Sequence, residues 1–309
     1  MNLYLAALYT SGIHLNSQVV LRTGEAGIKV RNEVEHILES YHYIYSESKV
    51  AMIRRDKTKL FLDSGAFSAH SLGADIDIDA YINYVGNNQD IIATDTETGS
   101  LLASVLDGIG SAKKTLENQK TMESQGVTPL PCFHFGEPEE YLVHYIDNYP
   151  YITLGGLVPV STKEAIIWLD RLWEKYLSNE NGSPRVKVHA FGVTTLDLMR
   201  RYPWASVDSS TWVQTARVGN IFIPRVFNTI AISNDSPRRK IQGQHIDTLP
   251  EVQRQALIHD IETLYGFPID GLRTDYAFRW MYNMGIYKDI QKSVTKVSQH
   301  YKNEIQELF

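Results

Sequence analysis

Cysteine is nearly missing from this chain: Cys132 is the only one in 309 residues. A single thiol excludes an intrachain disulfide and any zinc site built from several cysteines, and it suits a reducing, cytoplasmic setting. Long apolar runs are missing as well. The N-terminal stretch MNLYLAALYT has no basic flank ahead of it and is too short to span a bilayer, so it reads as a first strand. Positive charge is in deficit, with 30 Lys and Arg against 36 Asp and Glu and a formal net charge of −6. That balance argues against a protein that coats nucleic acid without specificity, while leaving room for a local basic patch. Arg238, Arg239 and Lys240 form the densest one. No glycine-rich dinucleotide loop follows the first apolar run, which disfavours an open dinucleotide-binding sheet.

What is present is a rhythm. Apolar, β-branched or aromatic runs occur at Leu3 to Leu8, Leu60 to Phe67, Ile91 to Thr94, Leu130 to Phe135, Ile152 to Val158, Val186 to Val193, Ala205 to Val207 and Ile221 to Ile232, eight strand candidates in all. Segments of helical spacing lie between most of them: Glu33 to Tyr45, Leu101 to Gln125, Pro138 to Asn148, Lys163 to Leu177 and Thr195 to Tyr202. Buried strands alternating with helices imply a parallel sheet, and eight repeats predict closure into an α/β barrel of the TIM (β/α)8 type. After Asn234 come a basic segment and two long helical stretches, Glu251 to Tyr265 and Thr274 to Tyr301. With no repeat or linker dividing the chain, the expectation is a single domain over 1–309, with a barrel core at 1–233 and a C-terminal helical extension at 234–309.

Two stretches carry the chemistry. LDSGAFSA, Leu62 to Ala69, and VDSSTWVQTARVG, Val207 to Gly219, each deliver an aspartate at the C-terminal end of a strand, followed by small hydroxyl residues. In parallel α/β folds that end of the sheet hosts catalysis, and two carboxylates raised on separate strands can act as nucleophile and proton carrier. An aspartate in such a place also serves as a helix cap or turn former. Reading the other strand ends adds Ser64 beside Asp63, Asp95 in IIATDTETG, His134 in CFHFG, and the glycine pair Gly155 and Gly156 in LGGLV. Asp95 suits a carboxylate accepting from the donor edge of a base, and the glycines let a planar ligand lie against the backbone.

These residues resemble, in order along the chain, those of the tRNA-guanine transglycosylase family. LDSGAFSA is similar to the family's DSGGFQ motif, which bears its general acid/base; the resemblance assigns that role to Asp63. VDSSTWVQTARVG is similar to the nucleophile segment, whose aspartate is followed by arginine nine positions on and glycine eleven on, here Asp208, Arg217 and Gly219. LGGLVPVS resembles the turn that holds the base, implicating Gly155, Gly156 and Leu157. ATD, ending at Asp95, and HFG, starting at His134, fall where the family recognises the base. The resemblance runs over roughly residues 60 to 220.

It also has gaps. Classical members carry three cysteines and a histidine that bind zinc in a subdomain helping to hold tRNA, and this chain lacks those cysteines. It has Trp212, Val213 and Gln214 where the nucleophile segment has proline, threonine and arginine, and His134 where the family has glutamine. The resemblance therefore points to the zinc-less branch found in phages and bacterial gene clusters, which exchanges guanine for a 7-deazaguanine in DNA. The implied partners are DNA, with tRNA as the alternative, and a base such as preQ0 or preQ1. Neither cofactor nor zinc is expected, and homodimerisation is left open. The implied reaction is double displacement through a covalent aspartyl-sugar intermediate. Arg217, Arg238, Arg239 and Lys240 are the expected contacts to nucleic acid. The rivals are a tRNA-acting enzyme, a catalytically silent binding subunit, and a barrel glycosidase.

Overall fold

The computed structural model describes residues 1–295 apart from positions 159, 194 and 225. The chain forms two compact units, one holding Met1–Thr10 and His36–Ser209, the other Ser11–Glu35 and Ser210–Ser293.

The first unit is built on a curled, seven-stranded parallel sheet that makes a half-barrel, with helices between its strands. Its strands are β1 (Asn2–Ala6), β2 (Ile37–Ser40), β3 (Leu60–Asp63), β4 (Cys132–His134), β5 (Tyr151–Gly155), β6 (Lys187–Ala190) and β7 (Ser206–Ser209), in the spatial order β3-β2-β1-β7-β6-β5-β4. Side chains alternate across each strand, so one set points into the concave face. Tyr4, Ala6, Leu38, Phe61, Leu102, Leu130 and Tyr151 pack together there as a buried cluster. Phe61 is fully buried, and truncating it to alanine is expected to cost about 3–5 kcal/mol. Two residues beyond Phe61 on the same face comes Asp63, and two beyond Ser206 comes Asp208. The apolar layer thus acts as a floor beneath the polar residues at the strands' C-terminal ends.

The expected closed barrel of eight strands is not what the chain forms. Ile91 to Thr94 does not extend into a strand: it follows a single 3-10 turn, Gln89–Ile91, and meets β3 only at the bridge between Leu60 and Ile92. The chain then turns away. Asp95 accepts hydrogen bonds from the Thr98 amide at 2.9 Å and its hydroxyl at 2.8 Å, a side-chain turn that competes with the ladder. After the turn, residues 102–105 run beside β3 and β4 through isolated parallel bridges, Leu62 to Ala103 and Ser104 to Leu130. Ile221 to Ile232, the expected last strand, breaks around Pro224 into an antiparallel hairpin in the second unit, β8 (Asn220–Phe222) and β9 (Thr229–Ala231).

β2 lies inside the stretch expected to be helical, Glu33 to Tyr45. Its apolar positions satisfy helical spacing, but three residues, Ile37, Leu38 and Glu39, are buried in sequence as a central strand requires. Glu39 is tolerated there because its carboxylate accepts from the amide of Thr10 at 3.3 Å and its hydroxyl at 2.7 Å. Burial still pushes its pKa up to about 7.

In the second unit the hairpin is tied to the helix Tyr276–Thr295 by Asn283, which is fully buried. Its side chain accepts from the Phe222 amide at 3.1 Å and donates to the Trp212 carbonyl at 3.1 Å. The part of the expected final helix beyond residue 295 lies outside the described residues. Among the described residues no helix is long and apolar enough to cross a membrane.

Candidate active site

Four acidic or imidazole side chains converge at the C-terminal ends of the first unit's strands: Asp63, Asp107, His134 and Asp208. Asp63 ends β3, and Gly65 two residues on adopts φ +78°, letting its amide turn back to Asp63 Oδ2 at 3.1 Å. A side chain at Gly65 would be strained by that φ and would strike the Ser40 hydroxyl at 2.3 Å. Burial is the largest force on Asp63, and the charges of Asp107 and Asp208 add to it. Together they raise its pKa from the ordinary carboxylate range to about 7, against the Gly65 amide. Asp63 therefore holds a proton near neutrality.

Asp208 sits on β7, paired in register with Tyr4 of β1. One of its oxygens, Oδ1, accepts from the Gly192 amide at 2.8 Å and lies 3.5 Å from His189 Nε2. His189 is fully buried, and that burial lowers its pKa despite the attraction of Asp208. The neutral ring brings no full positive charge to Asp208. Its other nitrogen, Nδ1, is 2.7 Å from the Ser206 hydroxyl, itself 2.7 Å from Tyr151 Oη, so a polar chain crosses the sheet's concave face and fixes the ring. The Gly192 amide and the fixed His189 ring thus hold Oδ1 of the carboxylate.

Asp107 is not among the residues expected from the sequence, although LLASVLDGIG carries the signature of the Asp63 and Asp208 stretches: an apolar run, an aspartate, then small residues. The helical spacing predicts a helix from Leu101, whereas the helix begins only at Ala112. Asp107 Oδ1 lies 3.5 Å from His134 Nε2, and the opposite ring nitrogen, Nδ1, lies 3.2 Å from Glu137 Oε1. Burial disfavours a charged His134, but Cys132 and the Asp107 carboxylate outweigh it and raise its pKa. Burial raises the neighbouring Cys132 thiol to about 11, so the sulfur is a neutral thiol at neutral pH. The support for the imidazolium that survives at that pH is the carboxylates.

Other expected members fall elsewhere. Asp95 is the clearest correction: it sits at the opposite end of the strands, where Lys187, the first residue of β6, holds it at 2.8 Å. The turn that carries Asp95 doubles back toward the strands' N-terminal ends, so its carboxylate does not share the pocket. Ser64 is fully buried, and its amide donates to Ser104 Oγ at 2.8 Å. Gly155 pairs with His134 across β4 and β5, and the place of its absent side chain is taken by that ring: a Cβ would stand 2.8 Å from His134 Cδ2 and 3.1 Å from Cys132 Sγ. Gly155 therefore makes room for a histidine rather than a ligand. Gly156, at φ +77°, is exposed, while the Leu157 side chain is buried.

The expected nucleic-acid contacts all lie in the second unit. Arg217 is exposed on the helix Thr211–Arg217 and donates to Ser11 Oγ at 3.3 Å. Arg238, Arg239 and Lys240 are exposed, with Arg239 3.6 Å from Asp247 and so partly neutralised. No protein-family model matches the chain, and no curated protein matches it.

Proposed function

We propose that the chain exchanges guanine for a 7-deazaguanine base in DNA by double displacement at Asp208. The observation that carries this reading is the pair of strand-end aspartates in contrasting environments. Asp63, crowded by Asp107 and Asp208, keeps a proton to about pH 7, while Asp208 is steadied by an amide and faces a neutral histidine. A strand-end carboxylic acid that keeps its proton, beside a second carboxylate held by an amide, supports the one as acid and the other as nucleophile.

A target guanosine is drawn out of its stack, at a cost of about a few kcal/mol. The carboxylate of Asp208 attacks C1′ through an oxocarbenium-like transition state, and the bond from C1′ to the base breaks with its electrons passing to the base. Asp63 supplies the proton that neutralises the departing guanine. The sugar is left as an ester of Asp208. An incoming 7-deazaguanine then gives its N9 proton to Asp63, its nitrogen attacks C1′, and the ester bond breaks. Asp107 and His134 take the place proposed for Asp95: a carboxylate accepts from the N–H edge common to both bases, and an imidazolium donates to their carbonyl. The Arg238, Arg239 and Lys240 cluster serves as an electrostatic footprint for phosphates.

The test offers labelled guanine and candidate 7-deazaguanines to the protein with duplex DNA, single-stranded DNA and tRNA, followed by nucleoside mass spectrometry. Exchange into DNA is expected, with a denaturant-stable adduct that vanishes, along with turnover, in Asp208→Ala. Exchange confined to tRNA transfers the reading to that substrate. Base release without incorporation, or a fully active Asp208→Ala, refutes it.

A further inference from the structure

Asp107, Cys132 and His134 present one carboxylate oxygen, one sulfur and one ring nitrogen, all within 4.8 Å of one another. We propose that these three side chains form a binding site for a zinc-type divalent cation, with the fourth coordination position open. The two distances to the histidine nitrogen match tetrahedral edges. From ordinary zinc bond lengths, adjacent sulfur and nitrogen ligands should stand about 3.6 Å apart, and nitrogen and oxygen ligands about 3.3 Å. Here Cys132 Sγ is 3.5 Å from His134 Nε2, and Asp107 Oδ1 is 3.5 Å from that same nitrogen.

Two independent features point the same way. Asp107 Oδ1 is sealed from solvent and has no hydrogen-bond partner, although it faces His134 Nε2 at 3.5 Å within the cluster. The far side of the His134 ring meets Glu137 Oε1 at 3.2 Å, the carboxylate-to-histidine arrangement that orients metal-bound imidazoles and strengthens them as ligands. Gly155 contributes by omission, since a Cβ there would crowd both His134 and Cys132 Sγ. The ligand types select the ion: thiolate and imidazole suit zinc, whereas magnesium and calcium prefer oxygen throughout. Binding expels two protons to solvent, that of the thiol and that on Nε2 of the imidazolium, and the thiolate and carboxylate together balance a charge of two. The site lies on the strand-end rim of the first unit and involves one thiol, unlike the three-cysteine zinc site of the family that the sequence resembles. Cation binding does not depend on the exchange reaction, and an ion held here competes with the base for Asp107 and His134.

Cobalt(II) tests it, because a thiolate bound to cobalt gives an intense near-ultraviolet charge-transfer band, and Cys132 is the only cysteine able to produce it. Reduced, tag-free protein titrated with cobalt should develop that band, saturating at one equivalent, and zinc should erase it. Cys132→Ser should lose the band while keeping its circular dichroism. His134→Ala and Asp107→Ala should each weaken cobalt binding by at least about tenfold. Absence of a saturable band in folded wild type overturns the proposal. So does a band whose affinity survives both the His134 and Asp107 substitutions, which would place the ion on the thiol with other partners.

Discussion

The two ends of the curled sheet both carry a partly buried aspartate, and they treat it in opposite ways. At the N-terminal end Lys187 reaches Asp95 at 2.8 Å, and the Thr98 amide and hydroxyl complete its hydrogen bonds. Burial opposes the charge on Asp95, yet these partners outweigh it and hold its pKa below the ordinary value. At the C-terminal end Asp63 is met by two further carboxylates and is raised to about 7. A satisfied carboxylate holds a turn in place; a crowded one stores a reason to move a proton. The difference lies in the neighbours and not in the residue.

Replacing Asp63 with asparagine should break that contrast most visibly. Under the proposed reaction, exchange should fall at least about a hundredfold, the usual contribution of a positioned proton carrier. The wild-type rate of base departure should decline as pH rises through about 7, as Asp63 loses its proton. Stability should show the matching sign. An unfolded aspartate titrates near pH 4, so the native state holds this proton more tightly. Its contribution is complete below about pH 4, shrinks as pH climbs toward 7 and is lost above that. Thermal unfolding of Asp63→Asn against wild type should therefore show a gain at pH 8 that disappears at pH 4. A mutant equally stable relative to wild type at both pH values would remove Asp63 from its crowded environment.

Asp107→Asn sharpens the assignment of base recognition. It should raise KM for the incoming base by about tenfold, corresponding to one charged hydrogen bond, with a smaller change in kcat. Steady-state kinetics that show no change in KM would return the recognition role to another residue. The smallest effect belongs to the other end of the sheet. Asp95→Asn should leave exchange within about twofold while lowering stability by about 1 kcal/mol at neutral pH. A large loss of activity with intact folding would mean that Asp95 belongs to the site after all.

Much of the sheet was legible because its strands are short apolar runs, and burial on both faces is written in composition. Six of the seven strands, all but β2, fall within or beside runs that could be marked in advance. β2 was not legible, since Ile37, Leu38 and Tyr41 satisfy a helical period as well as a strand's, and only the neighbouring β1 and β3 select between them. Asp63 and Asp208 could be found for the same reason as their strands: each ends a buried run. Asp107 shares that signature but stood inside a stretch credited to a helix. Asp95 misled because an apolar run before an aspartate does not reveal which way the chain leaves the strand, and here a side-chain turn sends it back.

By itself, then, the sequence determined that a parallel α/β sheet would form and that aspartates would stand at the ends of β3 and β7, because hydrophobic patterning and strand alternation are local properties of the chain. Only the tertiary structure decided which carboxylates meet, that His134 fills the space above Gly155, and that Asp107 rather than Asp95 joins the cluster. Those outcomes depend on strand register and on charges brought close from residues up to a hundred positions or more apart, and no local pattern encodes them.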